Sequence, residues 1–445
     1  MIIHEVETYP QEQIQDLQLK RLKKTVEQVY KQVPFYKEAF LSLDITPDSI
    51  STLQDVKKLP FTQKTDLRNH YPFDLFAIDM KDVARVHASS GTSGKPTVVG
   101  YSQQDIENWS QIVARAIALG GGTSGGIFHN AYGYGLFTGG LGMHYGSEKL
   151  GMTTVPVSGG NTERQIMLIE DFKPTIIGGT PSYVLKIAED MESLGKDPRK
   201  TSLKYGIFGA EPWSEEMRNV LEEKFAIKAC DIYGLSEVMG PGIAMECHEA
   251  QNGLHIAEDH FFVEVIDPRT LQPVPDGQEG ELVFTSLTKE AFPIIRYRTG
   301  DIGSLSRETC ECGRTTARMS RVKGRIDDML IIRGVNLFPS EIEHYLIKIK
   351  ELAPHYQVYL KRQGSLDYIE LHVEVNEHFY HAINGDMKHT KVAILVKTIQ
   401  QAMKSHCLVS MNVSIFPPKY LPRSSGKAVR VVDKRNVTVF HNSPH

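Results

Sequence analysis

Apolar residues at Ile14, Leu17, Leu22, Val26, Val29 and Val33 recur at mostly three- and four-residue steps. This spacing predicts an amphipathic helix, and Pro34 ends it. Lys20, Arg21, Lys23 and Lys24 fall on its polar side and read as a solvated face. From residue 83 onward, short apolar runs alternate with helical patterns: 175–177 before a helix at 183–191, then 205–208 before a helix at Glu215–Phe225. That alternation predicts parallel strands with crossover helices. From about residue 253 the pattern changes. Phe261–Ile266 and residues 281–285 flank a Pro/Gly/Asp-rich turn over 267–280, which reads as an antiparallel section. A boundary is expected near Asp327 and Asp328. Beyond it come an apolar run at 329–332, a helix at 340–349, strands at 356–360 and 369–375, and a helix near 392–405. The expected fold is α/β. A large N-terminal domain of mixed sheets with helices covers 1–326, including a β-rich subdomain at about 253–326, and a small α+β C-terminal domain covers 327–445.

Composition narrows the classes. The 445 residues are 41% hydrophobic and 23% charged, as in ordinary globular proteins, and allow more than one core. A net charge of −4 gives no long-range attraction to nucleic acid or to an anionic membrane. No run approaches the length of a spanning helix, and the first residues lack the basic start and apolar run of a signal peptide. Five cysteines are too few and too odd in number for a disulfide framework, so a reducing cytoplasm is expected.

The strongest local signal is His87-Ala88-Ser89-Ser90-Gly91-Thr92-Ser93-Gly94-Lys95-Pro96, following an expected strand at 82–86. Small residues let the backbone approach a polyphosphate, and hydroxyls, Lys95 and exposed N–H groups can donate to its oxygens. A P-loop would need glycine at position 89, which is Ser89, so a P-loop kinase or GTPase is not expected.

This segment resembles the phosphate loop of the adenylate-forming superfamily: acyl-CoA synthetases, peptide-synthetase adenylation domains and luciferases. Further motifs follow in the expected order: Tyr233-Gly234-Leu235-Ser236-Glu237, Tyr297-Arg298-Thr299-Gly300-Asp301, Gly324-Arg325-Ile326-Asp327-Asp328 and Pro422-Arg423-Ser424-Ser425-Gly426-Lys427. Within the superfamily the chain is most similar to phenylacetate–CoA ligases. The segments carrying this likeness are the run from Asn130 to Gly140, the run from Asp328 to Asn336 and the run from Gly426 to Arg430. Ser425 is a departure, since many members carry an acidic residue there.

The resemblance implies an ATP-dependent, AMP-forming acid–thiol ligase that activates phenylacetate or a similar aryl or short acid as its acyl-adenylate and then forms the CoA thioester. The alternative is an adenylating enzyme with a non-CoA acceptor, a carrier protein or an amine. ATP, CoA and magnesium are the implied small molecules, and a homodimer is the implied assembly. Ser89 to Lys95 would hold the β- and γ-phosphates. Gly209, Ala210, Glu211 and Pro212 would admit adenine, with Tyr233 packed on it and Asp231, Gly234 and Ser236 beside the nucleotide. Glu237 would hold magnesium, a hard cation suited to carboxylate oxygens. Asp301 would take the ribose diol, and Arg325 a second nucleotide contact. Lys427 would be the adenylating cation, stabilising charge as it develops. Asp327 would be the hinge of a mobile C-terminal domain. Arg333, Gly334, Val335 and Asn336 would line the pantetheine tunnel.

The segment 128–146 is rich in aromatic residues and glycines, which suits a slot for a planar apolar group. Tyr132, Gly133, Tyr134, Phe137, Gly178, Gly179 and Thr180 are the expected pocket residues. Finally, Cys310-Glu311-Cys312-Gly313 with the distant Cys247 and His255 can form a tetrahedral sulfur–nitrogen site. A structural zinc on Cys247, His255, Cys310 and Cys312 is expected, with His248 as the substitute nitrogen.

Overall fold

The computed structural model describes residues 1–89, 96–332, 335–363, 366–424 and 427–435. The chain divides into two compact units: Met1–Ala210 with Leu221–Val322, and Glu211–Val220 with Lys323–His445.

The first unit begins with helices α1 (Gln11–Gln32) and α2 (Pro34–Ser42). Ile14, Leu22, Val26 and Val29 of α1 are buried, as the periodicity predicts. Gln18 is buried among them because its amide donates to the carbonyls of Glu258 and Phe261. After α3 (Lys64–Asn69), strands β1 (Arg85–Ala88) and β2 (Val98–Tyr101) form an antiparallel hairpin that brackets the Ser/Gly-rich loop. β1 starts later than expected, since Met80–Asp82 is taken up by a 3-10 turn.

Helix α4 (Gln103–Leu119) is fixed by a reciprocal cap: Asp105 N–H donates to Ser102 Oγ, and Ser102 N–H to Asp105 Oδ2. Then come β3 (Ile127–Asn130), α5 (Thr138–Lys149), β4 (Thr153–Val155), α6 (Thr162–Phe172), β5 (Ile176–Gly179), α7 (Pro181–Ser193), β6 (Tyr205–Gly209), α8 (Glu215–Phe225) and β7 (Lys228–Leu235). The order β4-β3-β5-β6-β7 is parallel throughout. β8 (Gly240–Glu246) and β9 (Leu254–Ile256) extend this sheet antiparallel, and β13 (Leu305–Ser306) and β14 (Arg318–Met319) complete nine strands. The reversal therefore starts at Gly240, earlier than the change near 253 suggests. The Gly-Pro-Gly start of β8 hides a strand from propensity. β10 (Phe261–Ile266), β11 (Gly280–Ser286) and β12 (Tyr297–Gly303) make a separate antiparallel sheet.

The second unit contains the short strand β15 (Gly324–Arg325), the hairpin β16 (Leu330–Ile332) and β17 (Val335–Leu337), and helix α9 (Pro339–Leu346). Its main sheet joins β18 (Leu352–Gln363), β19 (Leu366–Val375), β20 (Met411–Phe416) and β21 (Val431–Asp433) in the order β20-β19-β18-β21. Helices α10 (Glu377–Ala382) and α11 (Thr390–His406) connect β19 to β20. Val358, Ile369, Leu371, Val373, Ile399 and Met403 form its core.

Candidate active site

In the parallel sheet the chain steps from β3 to β4 on one side and then crosses back past β3 to β5 on the other, so strand order reverses between the neighbours β3 and β5. Open α/β sheets bind ligands at such a switch point, outside the carboxyl ends of the strands. Here those ends carry Ala131–Phe137 after β3, Thr180 after β5, Gly209 and Ala210 at β6, and Ser236 and Glu237 after β7. Expected acid-pocket and nucleotide residues, separated by up to about a hundred positions, thus meet along one edge.

At β3 and β5 the pieces interlock. Asn130 pairs in register with Gly178, and Ala131 N–H donates to Gly178 O at 2.8 Å. Tyr132 is 4% exposed, and its hydroxyl donates to Ile207 O at 3.2 Å. A Cβ at Gly178 would lie 2.6 Å from Phe128 Cζ and 3.3 Å from Tyr132 Cε2, so glycine is needed for the rings to close over the strand. Buried Asn130 donates to Tyr134 Oη and Gly140 O, both at 2.8 Å, and Tyr134 Oη is 3.1 Å from His144 Nδ1. Burial pushes the Tyr134 phenol up to about 12, so it stays a neutral hydroxyl at ordinary pH. Phe137 precedes α5 and is half-buried, whereas Gly133 is exposed. His129, buried against Gln165, is pushed down to about 4 by desolvation.

Two of the expected nucleotide residues of this unit are tied to each other, and others are held by residues outside the expected set. Tyr233 Oη donates to Asp301 Oδ2 at 2.6 Å, and its ring stacks on Phe284 with centroids 5.8 Å apart. Ser236 Oγ and Thr138 Oγ1 are 3.0 Å apart. Asp231 takes Arg321 Nε at 3.2 Å, while its N–H donates to Glu246. Glu237 is 7% exposed, and among the described residues its carboxylate makes no hydrogen bond or ion pair. Gly234 sits where the β7–β8 register shifts, and a Cβ there would meet Gly240 O at 1.9 Å. Ala210 turns out of β6 with φ 69°, in the left-handed region. Ser89 N–H pairs with Thr97 O at the base of the hairpin. Ser90, Gly91, Thr92, Ser93, Gly94 and Lys95 lie outside the described residues, as do Arg333, Gly334 and Ser425.

In the second unit Arg325 and Asp327 bond to each other, with Nε–Oδ1 at 2.8 Å and Nη2–Oδ2 at 3.2 Å. Glu211 accepts from Ala428 N–H at 2.6 Å, next to Lys427, whose carbonyl accepts from Ser424 Oγ. Pro212 belongs to this unit, and Val335 and Asn336 lie on β17.

Cys247, His255, Cys310 and Cys312 converge, with their four ligand atoms all within 4.8 Å of one another. Cys247 follows β8 and His255 is on β9. Both cysteines of the Cys-x-Cys turn lie between β13 and β14, where Gly313 takes φ 85°. The Sγ atoms of Cys247 and Cys310 are 3.7 Å apart, and Cys312 Sγ is 3.5 Å from His255 Nε2. His255 Nδ1 faces Thr316 Oγ1 at 3.1 Å, which turns Nε2 to the sulfurs. A hydrogen bond between Cys247 and Cys312 pushes the first thiol up and the second down. His248 is held elsewhere, with Nδ1 3.0 Å from Leu119 O and its ring edge-on to Tyr205.

Sequence reasoning missed Thr138, Arg321, Phe284 and Thr316, the partners of Ser236, Asp231, Tyr233 and His255. Thr138 starts α5 inside the 130–140 run but has no expected role there, Phe284 lies on β11, and Thr316 and Arg321 flank β14 without a motif of their own.

The switch-point crevice, the converging motif strands and a second unit bearing Lys427 define an enzyme of the AMP-binding class. Residues 2–288 match the AMP-binding enzyme family, and 334–435 match the AMP-binding enzyme C-terminal domain. The chain belongs to the phenylacetate–coenzyme A ligase family. It is 50% identical over 439 residues to the phenylacetate-coenzyme A ligase of Thermus thermophilus, covering 97% of this chain and 99% of that protein. The Escherichia coli enzyme of the same name is 49% identical over 433 residues, with 97% of each chain covered. Among solved structures, 2-hydroxyisobutyryl-CoA ligase in the postadenylation state with 2-HIB-AMP has a TM-score of 0.91 at 27% identity, over 96% of this chain and 91% of that one. The same ligase with 2-HIB-AMP and CoA in the thioesterification state has a TM-score of 0.71 at 28% identity, over 97% and 91%.

Proposed function

We propose that this AMP-forming acid–CoA ligase takes phenylacetate or a closely similar aryl acid. The observation that carries the reading is the meeting of Tyr132 and Gly178 at the switch point, on the same sheet edge as the end of β7 that bears Ser236 and Glu237, two strands along. Near-full-length likeness to phenylacetate-coenzyme A ligases supports it. In the first half-reaction the carboxylate oxygen attacks the α-phosphorus of ATP, and pyrophosphate leaves with the bonding pair. In the second, the CoA thiol adds to the acyl carbon, its proton is released, and AMP leaves. Flat ring faces between glycines select a planar acid. Asp301 offers two acceptor oxygens to a ribose diol, and Lys427 supplies the cation where charge builds during adenylation.

Two metals belong to this reading. Glu237 would hold magnesium, because its buried carboxylate, which makes no hydrogen bond among the described residues, suits a hard cation, which neutralises polyphosphate charge when bound. Cys247, His255, Cys310 and Cys312 would hold a structural zinc. Tetrahedral zinc bonds of about 2.3 Å to sulfur and 2.0 Å to nitrogen imply sulfur–sulfur edges of about 3.8 Å and sulfur–nitrogen edges of about 3.5 Å. The observed 3.7 and 3.5 Å fit those edges, and 3.7 Å is far beyond a disulfide bond. All five cysteines are free, which supports a reducing cytoplasm.

The test is phenylacetate-dependent pyrophosphate release together with CoA-dependent AMP formation, run over a panel of aryl and short aliphatic acids. Strong turnover with phenylacetate supports the reading. No turnover on any acid overturns it, and adenylation indifferent to CoA transfers it to another acceptor. Metal analysis of untagged protein should find one zinc per chain, and normally folded protein without zinc removes that part.

A further inference from the structure

The segment bearing Lys427 is anchored on each side by a buried carboxylate. Upstream stands Glu374 on β19, with 0% exposure. It accepts from Lys419 N–H at 3.1 Å and from Leu421 N–H. It also pairs fork to fork with Arg423, whose Nη1 is 2.9 Å from Oε1 and whose Nη2 is 2.7 Å from Oε2. The same guanidinium donates to Leu421 O at 2.9 Å, so it braces the chain that approaches the lysine. Downstream, Arg430 Nη2 lies 3.4 Å from buried Glu343, and its guanidinium sits 4.5 Å over the Tyr356 ring. Val358 N–H donates to Arg430 O at 2.8 Å, tying that end to β18.

A buried ion pair gains little stability over apolar residues of similar volume, because both charges lose water. Its distinguishing property is geometry: two parallel hydrogen bonds fix the distance and plane of the guanidinium. A fixed plane is needed where a loop must present one amine to a reacting centre.

We propose that Glu374 and Arg423 are positioning residues for the adenylation half-reaction, setting the path of the chain into Lys427. The inference rests on the reading of Lys427 as the adenylating cation. Glu374 holds three groups of one segment, Lys419, Leu421 and Arg423, and so acts at a single point of the loop. Removing the pair lets the lysine wander while leaving the β18–β19 core in place.

The experiment compares Arg423→Met, Glu374→Gln, Arg423→Lys and Lys427→Ala. It reads acid-dependent ATP–pyrophosphate exchange, thioester formation from supplied phenylacetyl-adenylate and CoA, and Tm. Arg423→Met should lower exchange about 100-fold, the loss expected from about 1 Å of misplacement, with thioester formation within about twofold of the parent. Arg423→Lys keeps the charge but loses the fork, so it should be impaired in exchange as well, and it stands in where Arg423→Met does not fold. Equal losses in both half-reactions tracking a fall in Tm would show a merely structural pair and overturn the proposal. So would unchanged exchange in the Arg423 and Glu374 variants while Lys427→Ala abolishes it. If Lys427→Ala itself retains exchange, the assignment of Lys427 fails first and the proposal fails with it.

Discussion

Tyr233 donates its phenolic hydrogen to Asp301 at 2.6 Å, linking the carboxyl end of β7, the central strand of the nine-stranded sheet, to β12 of the antiparallel sheet. The two residues stand 68 positions apart and belong to two different sequence motifs. The bond fixes which oxygen of Asp301 faces Tyr233. A hydrogen bond to a charged group contributes about 1.5–3 kcal/mol. Tyr233→Phe should therefore lower stability by up to about that amount and, by leaving Asp301 unoriented, raise the KM for ATP. Asp301→Ala should raise it further, because the acceptor itself is lost. Initial rates at varied ATP with saturating acid check both, and an unchanged KM in Asp301→Ala would remove the ribose role.

Gly178 tests the pocket. An added methyl would lie 2.6 Å from Phe128 Cζ, in a strand whose four residues are all buried. Gly178→Ala should cost about 1–3 kcal/mol of stability through overpacking. It should also shift acid preference away from bulky rings toward short aliphatic acids. Thermal unfolding and the acid panel read the two effects separately.

Thr316 tests the proposed zinc site without replacing any of its four proposed ligands. Its hydroxyl lies 3.1 Å from His255 Nδ1. Loss of such an outer partner typically costs about 10–100-fold in metal affinity. Thr316→Val should accordingly lose zinc to a chelator at lower concentration than the parent, while Cys312→Ser should fail to retain it on purification. Zinc content and Tm against chelator concentration measure this.

Lys289 gives a pH signature. It is 1% exposed, with Nζ 3.3 Å from the Tyr101 ring centroid and 3.8 Å from Met239 Sδ. Burial pushes its pKa down from 10.5 to about 7. Between those values the unfolded chain binds more protons than the folded one, so stability rises with pH. The slope reaches at most about 1.4 kcal/mol per pH unit from one group. Urea unfolding from pH 7 to 8.5 should show stability increasing in the parent and a flatter profile in Lys289→Met. Parallel profiles would mean that Lys289 escapes its buried site or keeps its proton there.

The sequence by itself determined the class of fold, the order of its motifs and the residues with chemistry in their side chains. Apolar periodicity marked α1, the alternating runs marked β5, α7, β6 and α8, and the Cys-x-Cys turn marked the Cys/His cluster. These features were legible because hydrogen bonding within a helix or turn and one-sided burial act over a few residues. β8 was not legible, since its glycines and proline give no strand preference and only pairing with β7 and β9 makes it a strand. The sequence favoured His255 and kept His248 as the substitute, and the pairing of β9 with β8 and β14 is what brings His255 into the cluster. The partners Thr138, Arg321, Thr316 and Glu374 were likewise settled by tertiary structure. A contact between distant segments depends on how sheets and helices stack, and no local pattern of side chains encodes that distance.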